Sequence, residues 1–80
     1  MQVVVESRFH ELRRRKALAE GRDISLRTVA RETELALATI QRVASTDTSK
    51  VAGVRLSTLD ALCRYFNVSS ISELVEFKPN

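Results

Sequence analysis

Eighty residues, 44% hydrophobic and 29% charged, have the composition of one ordinary globular domain, expected to span 1–80, with no room for a second core. One cysteine and one histidine supply neither a disulfide nor a zinc ligand set, so the chain reads as intracellular, and a cytoplasmic location is expected. The opening MQVVV is too short and lacks the leading positive charge of a signal peptide, and nothing approaches the length of a membrane span.

The net charge of +3 is unevenly placed. Between residues 8 and 55 eleven Lys or Arg stand against six Asp or Glu; from 56 to 80 two stand against three. The excess is densest at RRRK, residues 13–16. With a pI near 9.6, such asymmetry points to a polyanion, most simply nucleic acid. A run of arginines is equally the pattern of a solvated helix face.

In chain order, the first segment is QVVVES, short and rich in β-branched residues, like LVEFKP at the other end. The two could pair as a small two-stranded ladder backed by helices. Alternatively Val3–Val5 begin the first helix, because Val5, Phe9 and Leu12 recur at i, i+4, i+7. Ser7 is a candidate cap for that helix and Gly21 its natural stop, with GRD as the turn. Ser25 caps a second helix, which points Val29 and Ala30 inward with Leu26 beside them. A third helix is expected from about residue 37 to 44, with Ile40 and Val43 facing in. STDTSKVAGVRL, residues 45–56, reads as a polar loop and the longest irregular stretch. Ser57 with Asp60 resembles a capping box opening a fourth helix, whose apolar face is Leu59, Leu62, Cys63 and Phe66. Asn67 suits its left-handed C-cap. Ser70 with Glu73 repeats the capping signature before a short fifth helix ending near residue 74 or 75. Leu74, Val75 and Phe77 then run into Pro79.

Residues 25–44 carry the pattern of two short helices joined by a tight turn. Ala30 is the small residue at their crossing, with Val29 before it and Leu35 at the turn. Ile40 and Val43 are spaced for the second helix to lean on the first. Together with LSTLDALCRYFNVSSISELVEF, these residues resemble the phage-repressor and Cro-type (XRE-like, lambda-repressor-like) helix-turn-helix family over roughly residues 8–77. The resemblance implies an all-α, compact five-helix DNA-binding domain with its helix-turn-helix at about 25–44. Three departures stand out: Glu34 where the turn usually has glycine, Ala36 where the reading helix commonly has a Ser or Thr cap, and the insertion ALAEGRD.

Taking Ile40 as the inward centre, Ala38, Gln41, Arg42 and Ser45 point outward, Thr39 lies on a flank, and Leu37 stands about 60° from the core direction. The resemblance places DNA contacts at Leu37, Ala38, Arg42 and Ala44. Base reading by hydrogen bond then falls to Arg42, which suits guanine, helped by Gln41, which suits adenine, and Thr39; Leu37 and Ala38 could meet thymine methyls. Ser25, Arg27, Arg31, Ser45 and Lys50 are the expected phosphate contacts. The expected function is a sequence-specific transcription regulator of repressor type, binding double-stranded DNA as a homodimer through ISELVEF and the paired ends. The alternative is a protein-binding module on the same scaffold, an antitoxin or adaptor, whose Leu37 edge meets a protein partner. Burial of Leu37 distinguishes the two, as does a common face for Ser25, Arg27, Arg31, Arg42 and Lys50. Cys63 is expected in the core and His10 on the surface, and Ser25, Ser57 and Ser70 are accounted for as caps. With no Gly-rich phosphate loop and no dyad, no enzyme activity, catalytic residue, cofactor or metal is expected.

Overall fold

Phe9, Ile24, Val29, Ile40, Val43, Leu62 and Leu74 are fully enclosed, and the chain order follows from bringing them together. The structure is a computed structural model that describes residues 3–79, with side chains described except at 3, 4, 48 and 77–79. In sequence come strand β1 (Val3–Ser7), helices α1 (Phe9–Glu20), α2 (Leu26–Thr33), α3 (Leu37–Val43), α4 (Thr48–Ala52) and α5 (Leu56–Phe66), a 3-10 turn (Ile71–Glu73) and strand β2 (Val75–Pro79).

The two ends pair. β1 and β2 are antiparallel, with Val5 opposite Phe77 and Ser7 opposite Val75. Val5 is buried and Glu6 exposed, the period-two alternation of a half-covered strand. Val5 therefore belongs to the ladder and not to the first helix, although its spacing to Phe9 fits either. Ser7 lies before the N-cap position of α1, which is Arg8 and makes no side-chain cap. The Ser7 hydroxyl still accepts the Phe9 amide, the first of α1, at 3.3 Å, and it donates to the Val43 carbonyl at 2.6 Å, occupying one of the orphan acceptors at the end of α3. Thus the ladder is tied directly to the end of α3.

The caps explain most of the helix limits. Gly21 ends α1 at φ 64°, so the inserted ALAEGRD mainly lengthens that helix. Ser25 Oγ accepts the Thr28 amide at 3.1 Å and opens α2. Glu34 takes the left-handed conformation at φ 60° that a glycine would adopt more easily. Ala36 opens α3 in the extended conformation of an N-cap, with no side-chain hydrogen bond. Asn67 closes α5 at φ 56°.

Three expectations need correction. Residues 45–56 are not one irregular loop: Asp47 accepts the Ser49 amide at 3.0 Å and starts α4. That helix is anchored by Val51, which is 3% exposed, and it packs against β1. Ser57 and Asp60 do not form a capping box, because α5 already begins at Leu56 behind Arg55, without a side-chain cap. The Ser70–Glu73 capping box does form, but it opens a single 3-10 turn. Leu74 and Val75, at 0% and 3% exposure, then draw the chain into the core and the ladder before another turn can be added. Among the described residues the fold has five α-helices, the number expected, but α4 stands in for the fifth helix foreseen near residue 70.

Candidate nucleic-acid interface

The RRRK run does not form a basic patch. The Arg13 guanidinium turns inward and donates from Nη1 to the Ile24 carbonyl at 2.6 Å, pinning the turn before α2. Its Nη2 lies 3.3 Å from His10 Nδ1. His10 is half-buried against Phe9, not on the open surface, and burial followed by the charges of Arg13 and Arg14 holds its pKa low. Arg15 pairs with Glu11, and Lys16 with Glu20 at 2.6 Å while standing over the Tyr65 ring. Among these four only Arg14 is exposed with no partner among the described residues. Three of the four arginines and lysines therefore serve the fold.

A different set of cations, Arg14 aside, is left exposed and without an ion pair. Among the described residues Arg27, Arg31, Arg42, Lys50 and Arg55 are exposed and enter no ion pair. They lie on α2, α3 and α4 and at the start of α5. On α3, Ile40 and Val43 are fully buried, which turns Ala38, Gln41 and Arg42 out to solvent and leaves Thr39 on the half-buried flank. Leu37 is half-exposed and lies outside the apolar core cluster. It is neither a core residue nor fully presented.

The surface around α3 has two shallow depressions that share Arg42. One, of about 370 Å³, is lined by Ala38, Gln41, Arg42, Ser45 and Lys50. It unites three of the expected base-reading residues with two of the expected phosphate contacts. Lys50 reaches it because α4 is a helix, held by Asp47. The Asp47 amide donates to Ser45 Oγ; its carboxylate accepts from the Ser49 hydroxyl and amide, and these bonds, the hydroxyl first, keep the carboxyl pKa low. The other depression, of about 390 Å³, is lined by Thr39, Arg42, Gly53, Val54, Arg55 and Thr58. Arg55 was missed in the sequence. It sits in the stretch taken as loop, and only the meeting of α3 with the start of α5 sets it beside Arg42.

The α2 residues are arranged separately. Ser25 is exposed at the N-cap, bonded to Thr28. Arg27 and Arg31 are one turn apart on the side of α2 opposite the buried Val29. Neither depression includes Ser25, Arg27 or Arg31. Ala44 is half-buried at the end of α3 and packs on the core, which takes it out of an outward contact. Cys63 is a core residue, 6% exposed, its thiol pKa raised first by burial.

Among the described residues no helix is long and apolar enough to cross a membrane, and no group of His, Cys, Asp or Glu is clustered to hold a metal ion. No curated protein and no solved structure matches the chain. The sequence profile of the Cro/C1-type HTH DNA-binding domain does match, over residues 15–80, a span that takes in the turn between α2 and α3, both depressions and the unpaired cations around them. With that match on a helical fold whose second and third helices meet across the Glu34 turn, the chain belongs to the Cro/C1-type helix-turn-helix DNA-binding family.

Proposed function

We propose that this single domain is a sequence-specific transcription regulator, a repressor, that lays α3 in the major groove of double-stranded DNA and binds a two-fold operator as a homodimer. The observation that carries this reading is the union of Ala38, Gln41, Arg42, Ser45 and Lys50 in one concavity, with Arg42 and Lys50 free of ion pairs among the described residues. Arg42 is the only long cationic donor on the outward face of α3 and suits guanine O6 and N7; Gln41 suits adenine, and Thr39 adds a hydroxyl. Ala38 and the exposed part of Leu37 supply apolar contact to thymine methyls. Ser25, Arg27 and Arg31 on α2, with Ser45, Lys50 and Arg55, take phosphates and fix the register. One reading helix carries little specificity, which is the reason for two copies with their helices about 34 Å apart.

One half-exposed and one exposed leucine favour a second reading. Leu37 stays outside the core cluster and Leu56 is 69% exposed, and an antitoxin or adaptor could use them to hold a protein. Selection of bound duplexes from a random pool, at two salt concentrations, separates the two. A repressor enriches a short motif at both salts. Binding that ignores sequence and vanishes with added salt would leave only the protein-binding reading.

A further inference from the structure

Gly53 ends α4, and its backbone gives no reason for a glycine. Its φ of −83° and ψ of 0° are open to any L-residue. A Cβ placed there would lie 3.6 Å and 3.7 Å from the Ser49 and Lys50 carbonyl oxygens, ordinary contacts, but 2.7 Å from Nη2 of Arg42. That separation is well inside the optimum for non-bonded heavy atoms. The guanidinium occupies the space that a side chain at 53 would take. Among the described residues no hydrogen bond or ion pair holds it, and Arg42 lines both depressions.

We infer that Gly53 is a specificity-determining residue that acts through Arg42: its missing side chain lets the guanidinium rest between α3 and the start of α5, the placement from which it reads a base. This rests on the reading of Arg42 as a base contact. A methyl group at 53 closes that placement, and the guanidinium must leave it. The far end of an arginine moves easily, so Arg42 gives way and the backbone does not. Gly53→Ala therefore folds, with Tm unchanged or raised, because alanine also narrows the unfolded ensemble.

The test compares wild type, Gly53→Ala, Arg42→Ala and the double variant on a duplex selected by the wild-type chain and on its single-base-pair variants. Gly53→Ala is expected to lower discrimination at one base pair by roughly tenfold. Affinity for random duplex and its salt slope should be unchanged, and the substitution should add nothing when Arg42 is already alanine. In the free protein, the Arg42 Nε–H resonance should shift in Gly53→Ala. An unmoved resonance, or an equal loss of discrimination in the Arg42→Ala background, overturns the role of Gly53 while leaving Arg42 as reader. Arg42→Ala discriminating as well as wild type overturns the reading of Arg42, and the inference with it.

Discussion

At the scale of single residues, the division between cations that hold the fold and cations left without an ion pair is set by what each side chain finds nearby. Arg13 finds the Ile24 carbonyl and Arg22 finds Glu20 and Glu32, whereas Arg42 and Lys50 find no ion-pair partner among the described residues. Arg42→Ala should cost about 1–3 kcal/mol at one base pair of the operator and little on random duplex, because a bidentate donor to guanine is what discriminates. Competition binding on single-base-pair variants measures this, and uniform weakening on every sequence would make Arg42 a phosphate contact. Lys50→Ala and Arg27→Ala should behave in that second way. Each lowers affinity for specific and random DNA alike and reduces the log–log salt slope by about one unit. A slope that stays at the wild-type value would put the residue off the DNA.

At the scale of elements, the turn into α3 is built from two residues that are locally second-best. Glu34 holds φ 60°, a conformation that costs a residue with a Cβ about 1 kcal/mol more than glycine. Ala36 holds the extended backbone of an N-cap with no side-chain oxygen to meet the first amides of α3. Ala36→Ser should stabilise the fold by about 1 kcal/mol, and Glu34→Gly by somewhat less, since glycine also frees the unfolded chain. For a chain of this size 1 kcal/mol corresponds to a Tm rise of roughly 4–8 °C, readable by calorimetry. If Ala36→Ser lowers Tm, the open amides of α3 are already satisfied in another way. The same turn fixes the angle at which α3 leaves α2, so these two residues also set how the outward face is presented.

At the scale of the whole molecule, one polar network joins helices far apart in sequence. Both Nη atoms of Arg22 bond the Glu32 carboxylate, at 2.7 and 2.8 Å. Its Nε bonds Glu20, and the Tyr65 hydroxyl donates to Glu32 from α5. The Arg22 bonds first, then Tyr65, hold the Glu32 pKa down to about 2 from an ordinary 4.5. A depressed carboxylate contributes its stability fully above pH 4.5 and loses it as pH falls toward 2. The urea midpoint should therefore fall over that window, and the fall should be shallower in Glu32→Gln; an unchanged profile would remove the network from acid stability. Tyr65 is pushed up to about 12, by burial first and then Glu32, as expected of a phenol that keeps its proton beside a carboxylate.

Assembly belongs to this scale as well. Val5, Leu74 and Val75 are consumed in the monomer core, which takes them from the surface proposed for a dimer; the Val3 and Phe77 side chains lie outside the described residues. What remains in favour of two copies is the weak specificity of one reading helix. Sedimentation of the complex with a selected duplex should find two chains per DNA, and one 9.0 kDa chain per duplex would remove the dimer.

The sequence by itself determined several features whose physics is local, though not the Ser57–Asp60 box, which failed because α5 begins one residue before Ser57. Gly21, Ser25, Asn67 and the Ser70–Glu73 pair act on amides and carbonyls within a few residues, and all four took the positions their chemistry suggested. The inward pair Ile40 and Val43 was equally legible, because helical period alone puts them on one face, and the outward set of α3 followed from it. Tertiary structure decided the rest. A five-residue helix has too little periodicity to be seen, so α4 depended on burial of Val51 and packing against β1. Val5 fitted a helix or a strand, and the choice was made by a segment about 70 residues away. The direction of the Arg13 side chain, the placing of Arg55 beside Arg42, and the space that Gly53 leaves for the guanidinium are all contacts between elements, and no window of the sequence contains both partners' geometry.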